Sequence, residues 1–529
     1  MNRRQFLAAT AGLAASGLSA PRLAHADDNR ILRFVPYADV AVIDPIWTTA
    51  YSTRTHALMV FDTLYGYDEQ FQPQPQMAAG HSVEDDGKIW RITLRPGLKF
   101  HDGTPVLAKD CVASLLRWGR RDAFGQSLIA AADEISAPDD KTILFRMKRP
   151  FPLLLAALGR PSSLIPVIMP ERLAKTDAFT QVPEAIGSGP FKFVPGERVP
   201  GARVVYERFA DYVPREEKPS FTAGGRVVHF DRVEFNVIGD AATAAAALQS
   251  GAVDWVEQPM IDLLPTLRRN RDIVVEVKDP TGMIGHLRFN HLHPPFNNVA
   301  IRRVVQKAIS QTDCMTAVAG SDKSLWSDRV GTFTPGLPMA SDVGLEALGK
   351  AEPDYAALKK ELIEAGYKGE KVVMLAGADV PRISAVCEVT AEALRQIGMV
   401  IDYVPADWGT VIQRITNRRP IDQGGWNLYC TYWSGLDLAT PASHTPLRAN
   451  GERAPTGWPD SPALEALRDG WLAAPDLAAQ QALAKDIQRQ ALQDVPYVSL
   501  GQFKQPIAYR RNLTGMMTGV PVMTNLRKV

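Results

Sequence analysis

Cysteine is scarce. Only Cys111, Cys314, Cys387 and Cys430 occur in 529 residues, and no two stand in a C-x-x-C spacing. That excludes a redox dithiol motif and the commoner zinc-site patterns. The wide spacings leave buried thiols or a bridge. Cys111 and Cys387 fall in helical patterns beside Val and Ala, which favours buried free thiols. Charge of one sign is also lacking: the formal net charge is +1, which gives no electrostatic footprint for nucleic acid or an anionic membrane. Past the first thirty residues no apolar run is long enough to cross a bilayer. There is no low-complexity tract. G-x-S-x-G, H-E-x-x-H, P-loop and dinucleotide signatures are missing, and "GSGP" at 187–190 lacks the spacing of a nucleophile turn.

What is present starts at the amino terminus. "MNRRQFLAATAGLAASGLSAPRLAHADD" carries Arg3 and Arg4, then an Ala-rich apolar stretch, then Ala24-His25-Ala26. This reads as an export signal over residues 1–26, cleaved after Ala26. "RRQFL" is similar to a twin-arginine motif, an address used for cargo exported already folded. Loss of the segment would remove three arginines and no acid, taking the formal charge from +1 to −2. The remainder is longer than one hydrophobic core usually fills, so at least two lobes are expected.

"KFHDGTPVLAKD", residues 99–110, gathers His101, Asp102, Thr104 and Asp110. Asp86-Gly87 ahead of it is a hairpin dipeptide. Trp90, Ile92 and Leu94 then alternate with Arg91, Thr93 and Arg95, as in a strand with one buried face. "AKDCVASLLRW" reads as a helix, and Ile143, Phe145 and Met147 alternate after an Asp-Asp turn. His101-Asp102-Gly103 therefore closes a strand with a turn, and Asp110 supports the next helix. No third group to orient His101 is nearby, so the segment is read as a turn and not an active site.

This stretch resembles the signature of the family 5 periplasmic solute-binding proteins of ABC importers, the peptide- and nickel-type receptors. The resemblance recurs in order: "IGSGPFKFVPGERVPGARVVYERFADYVP", "AATAAAALQSGAVDWVEQP", "LRFNHLHPPFNNVAIRRVVQKAIS", "ELIEAGY" and "VPYVSLGQF". Leu107 stands in place of the family's Ser or Thr cap, Ser188 in place of a Thr, and Phe209 and Val213 in place of Asn and Trp. The resemblance implies an α/β fold, a two-lobed periplasmic-binding-protein clamp. It implies a substrate-binding role for an ABC importer, with a peptide or peptide-like solute favoured, in the periplasm. The partners implied are an inner-membrane permease and its ATPase. No enzyme activity, cofactor, metal or nucleic acid is implied, and a monomer is expected. A periplasmic hydrolase or a chaperone-like binding protein is the alternative.

The second half alternates strand and helix, which predicts a three-layer α/β lobe built from βαβ units. The first half mixes hairpins and helices and predicts an α+β lobe. The expected boundaries are 27–287 plus 500–529 for lobe I, with an extra subdomain at about 62–183, and 288–499 for lobe II. The crossings are expected near Arg288–Asn290 and Val498–Gly501. Aromatic residues cluster where the cleft should lie: Tyr37, Trp47 and Tyr51 from the first lobe, and Trp426, Tyr429, Tyr432 and Trp433 from the second. Core packing is the alternative use of such rings. Position at a strand's carboxyl end favours Tyr432 and Trp433 over Trp426. The resemblance adds an acid: the family's peptide receptors pair a peptide α-amine with an Asp three residues after a Trp. Leu436 holds that place here and Asp437 follows it. The expected ligand contacts are Tyr37, Trp47, Tyr51, Arg288, Trp426, Tyr432, Trp433 and Asp437. His291 and His293 lack a third ligand and are read as hydrogen-bonded histidines.

Overall fold

A computed structural model describes residues 28–529; the expected export signal lies outside the described residues. Two large sheets organise the chain. The first has seven strands in the order Phe191–Phe193, Arg203–Arg208, Arg232–Asn236, Ile31–Val35, Trp255–Val256, Pro506–Arg510 and Ile273–Val277. Ile31–Val35 pairs in parallel with both neighbours, and the outer pairs are antiparallel. The second has six strands in the order Trp326–Ser327, Tyr497–Phe503, Met283–Phe289, Leu428–Ser434, Lys371–Gly377 and Val400–Ala406.

Lys371–Gly377 and Val400–Ala406 run parallel, joined by the helix Pro381–Gln396, as the alternating pattern predicts. Proline starts that helix where its missing N–H costs nothing. Ile383, Val386, Cys387, Ala391 and Leu394 then recur at helical spacing and are buried against the sheet. Full burial of one such aliphatic chain contributes about 1.5–3 kcal/mol. The central strands are antiparallel: Met283–Phe289 pairs with both Leu428–Ser434 and Tyr497–Phe503. On the face away from these helices, Tyr497 packs with Leu464, Trp471 and Ile487 of the helices Pro462–Leu472 and Leu477–Asp494. The sheet is thus covered on both sides.

A four-stranded antiparallel sheet falls within the span expected for an extra subdomain: Ala78–Glu84, Ile89–Leu94, Thr142–Met147 and Ala132–Ser136. Trp90, Ile92 and Leu94 face its core, and so do Ile143, Phe145 and Met147. The same hydrophobic cluster runs on into Leu447, Leu464 and Trp471, so this sheet shares a core with the helix Pro462–Leu472.

The chain leaves the seven-stranded sheet at Val277 and enters the six-stranded sheet at Met283; it returns between Phe503 and Pro506. The expected crossings near Arg288–Asn290 and Val498–Gly501 are corrected accordingly, because Arg288 and Phe289, like Val498–Gly501, lie within strands of the second sheet. The two crossings touch. Gly282 has φ 58°, and a Cβ there would come within 2.4 Å of the Phe503 carbonyl oxygen, so only glycine fits without displacement. Gln502 Nε2 donates to the Thr281 carbonyl at 2.7 Å. All four cysteines are buried free thiols, and Cys387 sits beside Cys430.

Candidate functional site

The His101 segment is a turn. Asp102 Oδ1 accepts from both Thr104 N and Thr104 Oγ1, at 3.1 and 2.6 Å. The His101 ring lies against Phe209 and makes a 3.0 Å bond to the Gly189 carbonyl, and burial pushes its pKa down to about 4. Asp110 accepts from Leu107 N and Glu171 N, which ties the helix start to the neighbouring segment. His291 and His293 bond the carbonyls of Pro496 and Arg418.

The two lobes meet where the strand Leu428–Ser434 ends. Tyr51, first residue of the helix Tyr51–Val60, accepts from Ser434 N at 2.5 Å and donates to Asp437 Oδ2 at 3.1 Å. Ser163 Oγ donates to Asp437 Oδ1 at 2.6 Å, and Arg160 Nη2 reaches the same oxygen at 3.4 Å. Asp437 is 1% exposed and Arg160 5% exposed, so this contact is shielded from water and from salt. Arg160 also pairs with Asp122. Nearer the crossings, Arg382 Nη1 donates to Gln258 Oε1 across the cleft at 3.1 Å. Arg382 lies over the Phe503 ring and has no carboxylate partner among the described residues; burial pushes its pKa down to about 10.

Behind these contacts lies a small, partly open pocket of about 60 Å³. The carboxyl end of Trp255–Val256, both crossings and the loop Met516–Val522 form its walls. Trp255 and Met516 give it apolar surface, while Arg54, Glu257, Lys278 and Asp279 give it charge. Glu257 Oε2 accepts from Tyr37 N at 2.8 Å, and burial pushes its carboxyl up to about 7. Burial raises Asp279 as well, although Thr281 N and Oγ1 both donate to its Oδ1. Lys278 is held by Glu276 at 3.0 Å. Arg54 bonds Ser162 Oγ and lies over the Tyr51 ring.

The expected contacts therefore divide. Tyr51 and Asp437 meet at the cleft, and Tyr37 accepts from Tyr51 N through its hydroxyl. Tyr432 donates to the Arg382 carbonyl, which keeps it beside the same boundary. Trp433 packs on Ile284, Val330 and Leu438, and its indole Nε1 has no partner among the described residues. Trp47 lies under Arg121, away from the others. Two expectations are corrected. Trp426 is fully buried, bonds the Ile415 carbonyl and packs on Tyr429 and Trp458, so it is core. The Arg288 guanidinium is spent on the carbonyls of Pro446 and Thr456 within its own lobe. Sequence reasoning missed Arg54, Arg160, Ser163, Glu257, Asp279 and Arg382. Only Glu257 carried a signal: an acid directly after an apolar strand, at its carboxyl end.

Comparison with known proteins bears on this arrangement. Residues 72–454 match the profile of the bacterial extracellular solute-binding proteins, family 5. A probable peptide ABC transporter periplasmic-binding protein of Sinorhizobium fredii is 38% identical over 531 residues, 98% of each chain. A periplasmic binding protein of Helicobacter pylori, solved with the peptide STSA, superposes with TM-score 0.78 at 21% identity, over 94% of this chain and 98% of that one. The Agrobacterium tumefaciens R10 binding protein solved with agropinic acid gives TM-score 0.77 at 21% identity, over 94% and 99%. These structures share the two-lobed fold.

Proposed function

The chain belongs to the family 5 bacterial extracellular solute-binding proteins, and from that premise we propose that it captures a peptide or peptide-like solute between its lobes for an ABC importer. It hands the solute to an inner-membrane permease driven by its ATPase partner. It acts as a monomer in the periplasm, without catalysis, after export by the twin-arginine route and cleavage behind Ala26.

The observation that carries the reading is the set of bonds from Tyr51, Arg160 and Ser163 to Ser434 and Asp437 across the lobe boundary. They define a closed form beside a pocket walled by both crossings. Solute enclosed there touches both lobes, whereas in an open form it touches one. That difference in contact is what drives closure. Of the contacts expected from the sequence, Tyr37, Tyr51 and Tyr432 are the ones we propose to touch the solute. The test is to purify the protein without denaturation, identify its cargo by mass spectrometry, and measure small-angle scattering with and without it. A more compact particle with cargo is expected. An unchanged particle with demonstrably bound cargo refutes the clamp.

A further inference from the structure

We infer that Glu257, and not Asp437, receives a protonated amine of the cargo, so that the solute is an amine-bearing compound anchored at the crossings. The inference rests on the clamp reading above.

Asp437 already has a cation beside it in Arg160. Tyr51, Ser163 and Arg160 already donate to its two oxygens, and the group is sealed from solvent. An ammonium placed there would have to displace an arginine. Its position makes Asp437 a latch between the lobes.

Glu257 is in the opposite condition. It is 6% exposed, it lines the pocket, and no cation lies within ion-pairing distance among the described residues. One oxygen accepts from Tyr37 N; among the described residues no group donates to Oε1, which stays open to the pocket's solvent. A buried carboxylate without a partner is costly, and such groups are retained where something completes them. The nearby cations are committed elsewhere. Lys278 is held by Glu276. Arg54 is turned aside: it bonds Ser162 and stacks on Tyr51. Arg382 bonds Gln258 and lies over the Phe503 ring. A ligand ammonium would give Glu257 the direct partner that none of them provides.

The rest of the pocket is built for a ligand. Trp255, Arg54 and Gln505 all line it, and among the described residues the buried Trp255 Nε1, Arg54 Nε and Gln505 Oε1 atoms have no partner. These unmet donors and acceptor suit a solute with amide or carbonyl groups close to its amine. Trp255, Met283, Ile507 and Val520 supply apolar wall for its side chains.

The experiment compares a panel of dipeptides carrying free amino termini with their N-acetyl forms. Binding is followed by calorimetry to the wild type, Glu257→Gln and Asp437→Asn. Acetylation is expected to weaken binding to the wild type at least tenfold. In Glu257→Gln that ratio falls to about one, since the desolvated charge pair is gone. In Asp437→Asn every ligand weakens by a similar factor, and the acetylation ratio survives. The inference is overturned if acetylation is harmless in the wild type, or if Asp437→Asn and not Glu257→Gln abolishes the ratio. If no dipeptide binds, the co-purified cargo decides. A cargo without a basic amine overturns this inference and leaves the clamp intact, and an amine-bearing cargo must lose affinity in Glu257→Gln. A chain that carries no solute and never compacts defeats the clamp reading, and this inference with it.

Discussion

Glu257→Gln should make the unliganded protein more stable, and only above a certain pH. Burial raises the carboxyl from its usual 4.5 to about 7. A folded-state pKa above the unfolded value means that the folded form holds its proton more tightly. Ionisation therefore works against folding from about pH 4.5 upward, and the penalty is complete above about pH 7. A displacement of about 2.5 units at 1.36 kcal/mol each is a penalty of about 3 kcal/mol. The residue is 6% exposed, so solvent screens little of this. Glutamine keeps the acceptor for Tyr37 N and carries no charge. At pH 8 the variant should gain about 3 kcal/mol over the wild type, and at pH 4.5 nothing. For a chain of this length, melting as one unit with an entropy of about 1 kcal/mol/K, that is a rise of about 3 °C in Tm. Calorimetry of ligand-stripped protein from pH 4.5 to 8 measures it. A variant that is less stable at pH 8, or a difference that ignores pH, refutes the reasoning, because Glu257 would then already have a cation.

Asp437→Asn leaves Arg160 with a weaker neighbour, and breaking a buried charge pair costs about 3–5 kcal/mol; the closed form should lose population, read as a larger radius of gyration in scattering with saturating cargo. Gly282→Ala forces a Cβ against the Phe503 carbonyl at a positive φ; denaturant unfolding should show a loss of about 1–3 kcal/mol. Trp426→Ala should cost about 3–5 kcal/mol in stability while leaving ligand preference unchanged, as a calorimetric panel would show; altered preference would return Trp426 to the cleft.

The elements that declare themselves locally were the legible ones. Asp86-Gly87 turns its hairpin, and the alternation from Trp90 to Leu94 does set one face in the core. The helix Pro381–Gln396 and its flanking parallel strands followed from their apolar spacing. The crossings were misplaced because "MIGHLRF" carries His286 and Arg288 inward on a strand covered on both faces, so no polar–apolar alternation marks where it starts. Double coverage also hid the aromatic assignments: sequence alternation sets Trp426 and Tyr432 on one face, and only the layers above them decide which is core. Glu257 shows in sequence only as an acid at the carboxyl end of an apolar strand. Its want of a partner exists only once Tyr37, Arg54 and the crossings have come together.

The thiols carry a consequence for the order of events in the life of the chain. Cys387 on the long helix and Cys430 on the strand beneath it are neighbours, Cys314 is close by, and none reaches solvent. Burial alone protects them from an oxidant. A chain that met an oxidising surrounding before its core had formed would offer three nearby sulfurs, and Cys111, for wrong bridges. A chain that arrives with its core complete never passes through that hazard.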